Sequence, residues 1–344
     1  MMGWDIGGAH LKAVQINQQG MVTAARQVYC PLWRGLHELE QAFDAILSQM
    51  KAAQHCITMT AELADIFENR HAGVMQIANM ARQKLGENIQ FYAGKQRFVS
   101  FAQVNAHTAD IASMNWLASV QFVAHNAPQA LFVDIGSTTT DIALIRDGKP
   151  QIQGFNDAKR LQTDELVYTG VVRTPLMALA QKITFNGQLV NIAAEHFATT
   201  ADVYLLTGDL AQTENMADTA DGADKSLPSC AKRIARMVGM DSADAPMQIW
   251  HDLAWAFKRV QLQRIKQAVV TQLSRFPAQQ NMQIVGCGAG DFLVADLAKV
   301  FNLPYRSVTD FILAENLPAK KMAAVCFPAF AVASLGLKNL DATC

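Results

Sequence analysis

At 344 residues, with 51% hydrophobic and 17% charged side chains, the chain is too long for one ordinary core and too apolar to be disordered. A net charge of -1 offers no general attraction for nucleic acid or an anionic membrane, so neither is an expected partner. Any phosphate must be held by local geometry.

The first thirty residues read as three strands, Gly3–Ile6, Leu11–Ile16 and Met21–Tyr29, joined by a Gly-Gly turn and the polar turn Asn17–Gly20. Helical periodicity runs from Leu36 to Met50. Cys56–Thr60 reads as a buried strand, and helices are expected near Val74–Leu85 and Ile111–Val123. Strands alternating with helices indicate an α/β arrangement.

At Ala130 the opening repeats. Ala130–Asp134 is a strand, Ile135–Thr140 a turn and Asp141–Arg146 a strand. Trp4-Asp5-Ile6-Gly7-Gly8-Ala9-His10-Leu11-Lys12 and Val133-Asp134-Ile135-Gly136-Ser137-Thr138-Thr139-Thr140-Asp141 are one device used twice, a domain length apart. A duplication sets the boundary near Asn126–Ala130, giving domains at 1–128 and 129–344. The second carries an expected insertion at about 155–245, which includes the acidic, polar segment Gln212–Ser226. A long helix at Met247–Phe276, a strand at Met282–Val285, a glycine turn and a helix at Asp291–Val300 follow. The apolar stretch Met322–Leu337 contains Pro328 and is shorter than the ~20 residues of a membrane span, so it reads as a buried helix.

Six scattered cysteines without a C-x-x-C pair (Cys30, Cys56, Cys230, Cys287, Cys326 and Cys344) fit reduced thiols in a cytoplasmic protein. The opening Met1-Met2-Gly3-Trp4-Asp5 lacks the basic and apolar regions of a signal peptide.

The paired Asp-Ile-Gly turns carry the chemistry. Phosphate approaches a backbone turn closely only where side chains are small, as at Gly7, Gly8, Ala9, Gly136 and Ser137. Successive N–H groups there make an anion nest, to which Ser137, Thr138 and Thr139 add hydroxyls, with His10 and Asp141 as further contacts. Asp5 and Asp134 end apolar strands, where a carboxylate suits Mg²⁺ held on phosphate, and Lys12 stands ready to offset phosphate charge. Gly286-Cys287-Gly288-Ala289-Gly290 forms a third corner, for a nucleotide's adenosine or another ring. Tyr168, Arg173, Lys225 and Arg233 are candidate substrate contacts, and Glu62, Glu165 and Glu195 candidate bases. Arg233 and Arg236, at i and i+3, read equally well as the solvated face of a helix.

Three glycine turns in this order resemble the actin/acetate-kinase/Hsp70 superfamily, which implies duplicated ribonuclease H-like domains around a central cleft. A closer resemblance lies in Gly3–Lys12, Thr58-Met59-Thr60-Ala61-Glu62-Leu63-Ala64-Asp65, Glu165–Gly170 with Arg173-Thr174-Pro175, Glu195–Thr199 and Ala201–Tyr204. These are similar to hydantoinase/oxoprolinase-related proteins of tetrahydromethanopterin-linked C1 transfer, over nearly the whole chain. The resemblance implies a methanofuran-biosynthesis type of synthase, joining an aminomethyl-furanmethanol diphosphate to a tyramine-type phenol with release of pyrophosphate. Ala9-His10 replaces the Thr common in kinases, a departure from ordinary γ-phosphoryl transfer. An ATP-dependent kinase or amide hydrolase and a nucleotide-gated regulator stay open as alternatives, as do ATP or ADP and a second copy of the chain as partners.

Overall fold

The structure is a computed structural model that describes residues 1–212, 215–276 and 281–341; Cys344 and part of the acidic segment, 213–214, lie outside them. The strands are β1 (Met2–Ile6), β2 (His10–Ile16), β3 (Val22–Tyr29), β4 (His55–Met59), β5 (Ile89–Tyr92), β6 (Phe98–Ser100), β7 (Ala130–Ile135), β8 (Thr140–Arg146), β9 (Lys149–Pro150), β10 (Leu166–Val167), β11 (Lys182–Phe185), β12 (Gln188–Asn191), β13 (Gln283–Cys287) and β14 (Tyr305–Ser307). The helices are α1 (Leu36–Leu47), α2 (Arg70–Leu85), α3 (Thr108–Ile111), α4 (Asn115–Asn126), α5 (Asp157–Gln162), α6 (Thr200–Thr207), α7 (Leu227–Arg236), α8 (Met247–Ser274), α9 (Asp291–Phe301), α10 (Leu317–Val325) and α11 (Phe327–Asp341).

Two compact units result. The first comprises Met1–Ala130, Ile145–Gln151 and the chain from Arg306 onward; the second comprises Leu131–Leu144 and Ile152–Tyr305. The C-terminal segment therefore groups with the first half, where the sequence reading had left it with the second. Its physical reason lies in β1. Gly3 has no side chain, and a Cβ there would come within 1.9 Å of the Ala329 carbonyl oxygen, so α11 packs directly onto the strand. The long apolar stretch is two helices, α10 and α11, bent by 99° at Cys326, rather than one. Among the described residues no single helix is long and apolar enough to cross a membrane, although this bent pair passes by length and composition.

The first unit's sheet runs β3-β2-β1-β4-β5-β6. β1 pairs parallel with β4 and antiparallel with β2, placing Asp5 beside both Lys12 and Thr58. Alternation along β1 turns Trp4 to the opposite face, onto Phe43 of α1 at 5.1 Å between rings. Burying each of these side chains completely contributes about 1.5–3 kcal/mol.

Trp4 Nε1 also donates to His55 Nδ1 at 3.1 Å. Burial lowers the His55 pKa from its ordinary 6.5 to about 4. Between those values the unfolded chain takes up a proton that the folded chain refuses, so stability falls as pH drops from 6.5 towards 4. The expected loss is at most about 3 kcal/mol. Urea unfolding at pH 7 and pH 5 should read about 2 kcal/mol of it. His55→Gln, which keeps an acceptor but does not titrate, is expected to flatten the difference; an unchanged difference would assign it to other groups.

The second sheet runs β10-β8-β7-β13-β14, with β9 also on β8. The stretch expected as an insertion is integral to this unit's core. After the β11–β12 hairpin, which turns through Asn186 and Gly187 at positive φ, α6 and α7 pack on α8 and bury Val203, Tyr204, Leu206 and Ile234. α8 has 28 residues and is about 42 Å long.

Candidate functional site

The two turns close with the same backbone hydrogen bond. In the β1–β2 turn the Gly7 N–H donates to the His10 carbonyl at 3.0 Å; in the β7–β8 turn Gly136 donates to Thr139 at 2.9 Å. Each turn is also held from behind by the segment that leaves the third strand. Leu32 N donates to the Gly8 carbonyl (3.1 Å) and Cys30 N to that of Ala9 (2.9 Å). Val171 N donates to the Gly136 carbonyl (3.0 Å), and Val172 and Arg173 N to that of Ser137 (3.1 and 2.8 Å). A trans peptide directs its N–H opposite to its C=O. The N–H groups of Ala9 and His10 in one turn, and of Ser137 and Thr138 in the other, therefore point away from their supporting segments. Two adjacent N–H groups on one side of a turn are the kind of donor pair from which an anion site is built.

In the first unit Asp5 is 4% exposed. Burial pushes its carboxyl above the usual range, while Lys12 and a 3.3 Å hydrogen bond from Asn115 Nδ2 pull it back. His10 stacks edge-on against Tyr29 at 5.8 Å. Glu62 is buried in the turn after β4 and accepts from Ser113 Oγ at 2.6 Å. Ser113 itself holds a left-handed backbone, φ 55°. One short segment, 113–115, thus orients both buried carboxylates, and neither of its polar residues was singled out from sequence.

In the second unit the turn rests between two glycines. A Cβ on Gly170 would lie 2.4 Å from Thr138 N and 2.6 Å from the Gly136 carbonyl oxygen. A Cβ on Gly288 would lie 2.4 Å from both Asp134 Oδ1 and the Ile135 carbonyl oxygen. Gly290 N donates to that same carbonyl at 2.8 Å. The third turn, whose Ala289 is exposed, therefore packs directly against Asp134, while Gly286 is held bare by the side chain of Asp291. Asp141, on β8, pairs with buried Arg160 at 2.8 Å; burial raises its pKa and Arg160 opposes the shift.

Several candidates prove to be braces. Glu165 accepts Gln153 N and Arg275 Nη1 on Oε1 (2.7 and 3.2 Å), and Gly154 N and Thr163 Oγ1 on Oε2 (2.7 and 2.9 Å). Both oxygens are engaged, so it organises the loop before β10 instead of serving as a base. Arg233 is 0% exposed and pairs with Asp202 at 2.7 Å and Asp221 at 3.1 Å, which replaces both the substrate-contact and the solvated-face readings. Lys225 Nζ donates to the Asn215 carbonyl. Tyr168 (52%), Arg173 and Glu195 are exposed.

No group of three His, Cys, Asp or Glu side chains suited to a metal occurs among the described residues. The donor set nevertheless fits Mg²⁺ carried on a phosphate, which takes one or two carboxylates and keeps its own waters. Asp134 Oδ1 meets that need where Gly288 lacks a side chain.

The hydantoinase/oxoprolinase family profile matches residues 54–325. The chain is 30% identical, over 99% of its length and 98% of the relative's, to the (4-{4-[2-(gamma-L-glutamylamino)ethyl]phenoxymethyl}furan-2-yl)methanamine synthase of Methanocaldococcus jannaschii. A synthase of the same name from Methanococcus vannielii is 39% identical over 134 residues, 38% of this chain and 60% of that one. Among solved structures, nucleotide-free acetone carboxylase matches at TM-score 0.58 and 11% identity, covering 96% of this chain and 69% of that one. A ROK family glucokinase from Streptomyces griseus, in complex with glucose and AMPPNP, matches at 0.50 and 16%, covering 97% and 98%. These structural likenesses establish the actin-like α/β fold of the sugar kinases.

Proposed function

The chain belongs to the hydantoinase/oxoprolinase family, and on that basis we propose that it is a synthase forming a phenoxymethyl-furan ether from a furanylmethyl diphosphate and a tyramine-type phenol. The observation that carries this reading is the repeated turn: two Asp-Ile-Gly turns closed by the same backbone hydrogen bond, each with two adjacent N–H groups facing away from its support, in a chain related end to end to a synthase whose product name contains that ether. In the reaction the phenolic oxygen bonds to the furanylmethyl carbon, the bond from that carbon to the diphosphate oxygen breaks, the phenolic proton passes to a base, and pyrophosphate departs.

Charge accumulates on the leaving diphosphate, so preformed donors aimed at it lower the barrier most. The N–H groups of Ser137 and Thr138 are such donors, and Thr139 adds a hydroxyl. Asp134 would hold Mg²⁺, which when bound neutralises part of the diphosphate charge; Asp5 is the matching carboxylate of the first turn. Arg173, on the segment behind this turn, contributes positive charge, and Lys12 does the same for the first turn beside Asp5. A phenol has an ordinary pKa near ~10, so deprotonation needs help. With Glu165 engaged elsewhere, Glu62 and Glu195 are the carboxylates left to take the proton.

Titration calorimetry with Mg·pyrophosphate, and separately with Mg·ADP and Mg·ATP, tests the reading alongside a product assay. Pyrophosphate is expected to bind more tightly than either nucleotide, and Asp134→Asn to weaken it by about tenfold or more. Mass spectrometry should detect the aryl ether, with one pyrophosphate released for each ether formed. Preference for ADP or ATP with no ether formed would restore a kinase or hydrolase function.

A further inference from the structure

A buried polar network lies behind the second glycine turn and has no part in the reaction just described. It converges on Gly170. The Gly170 carbonyl accepts from Thr200 Oγ1 (2.8 Å), Gln261 Nε2 (2.8 Å) and Thr174 Oγ1 (3.2 Å), and its N–H donates to Thr174 Oγ1 (2.8 Å). Gln261 Nε2 also donates to Thr169 Oγ1 at 2.8 Å, and Gln261 Oε1 accepts from the Tyr204 hydroxyl. Thr140, which leaves the turn into β8, donates from Oγ1 to the Thr169 carbonyl at 2.7 Å. Tyr204, Gln261, Thr140, Thr169 and Thr200 are all 0% exposed.

Removing this many polar groups from water gains little net stability, and an apolar core of the same volume would serve as well or better. What hydrogen bonds supply and apolar contacts do not is a fixed position. Gly170 touches the backbone of the turn from Gly136 to Thr138, so fixing Gly170 fixes the direction of the Ser137 and Thr138 N–H groups. The Tyr204 ring also meets Phe292 edge-on at 5.1 Å, in the first turn of α9 behind the third glycine turn.

We propose that Gln261 and Tyr204 are positioning residues for diphosphate binding, holding Gly170 beneath the second turn so that its N–H groups keep their direction. The inference rests on the proposed function, and it predicts a selective effect. Gln261→Met keeps the length of the side chain and loses its donor; Tyr204→Phe keeps the ring and loses the hydroxyl.

The test is Mg·pyrophosphate titration of the full chain, with steady-state kinetics for each substrate and a thermal melt. Gln261→Met is expected to weaken pyrophosphate about 10- to 100-fold and to raise KM for the diphosphate substrate, with KM for the phenol unchanged. Tyr204→Phe should act in the same direction by a smaller factor, because Gln261 still reaches Gly170; it also remains readable if Gln261→Met fails to fold. A merely structural role would lower Tm and the active fraction while leaving both KM values and pyrophosphate affinity alone. That result in both variants, with the unaltered chain binding pyrophosphate, overturns this inference and spares the proposed function. Absence of pyrophosphate binding by the unaltered chain overturns both.

Discussion

Gly288→Ala is expected to lower kcat/KM by at least about a hundredfold, because displacing a catalytic group by about 1 Å is enough for such a loss. The new Cβ would lie 2.4 Å from Asp134 Oδ1 and 2.4 Å from the Ile135 carbonyl oxygen, distances that real Cβ atoms do not adopt. Something has to move, and Asp134 is the smaller obstacle, since the Ile135 carbonyl is fixed by Gly290 N at 2.8 Å. Gly288 also has φ 84°, which adds about 1–2 kcal/mol of strain for any residue with a Cβ. Gly170→Ala should produce a comparable loss from the opposite side of the turn, by pushing on Thr138 N and the Gly136 carbonyl. Ether formation under steady-state conditions, read beside a urea melt, separates the effect from unfolding. Overpacking should remove only about 1–3 kcal/mol of stability. A Gly288→Ala protein that is folded and fully active would mean that the placement of Asp134 does not limit the reaction.

The turns were legible because their requirement is local. Only small residues suit a close backbone approach, and the same Asp-Ile-Gly spelling occurs twice with strands on either side. What supports the turns was less visible. Gln261 interrupts the line Leu253, Phe257, Gln261, Ile265, four residues apart on the buried side of α8, and a polar residue in that register is itself a signal. The return of the chain from Arg306 to the first unit depends on contacts between Gly3 and α11, which are distant in sequence and leave no periodic trace. Charged residues misled for a related reason. Composition and spacing do not distinguish an arginine that meets a ligand from one sealed between carboxylates, so Arg233 looked available and is not.

The Arg233 pair carries the largest expected effect on stability. Asp202→Ala should destabilise the second unit by about 3–5 kcal/mol, the usual cost of leaving one member of a buried ion pair without its partner. Arg233 lies at 0% exposure with Asp202 at 2.7 Å, and its remaining carboxylate, Asp221 at 3.1 Å, is partly exposed. The same substitution removes a cap: Asp202 Oδ2 accepts from Thr199 N at 3.0 Å, closing the first turn of α6, which adds about 1 kcal/mol. Arg233→Met, nearly matched in length, leaves the cap in place and should cost less. The double variant is the informative one. If the pair behaves as a unit, the two single losses will exceed the loss in the double variant by about 1–3 kcal/mol, because no unpaired charge remains buried. Urea unfolding of the four proteins gives that coupling directly. Additive losses below about 1 kcal/mol each would show that water reaches the guanidinium, and Arg233 would return to the residues able to meet a substrate.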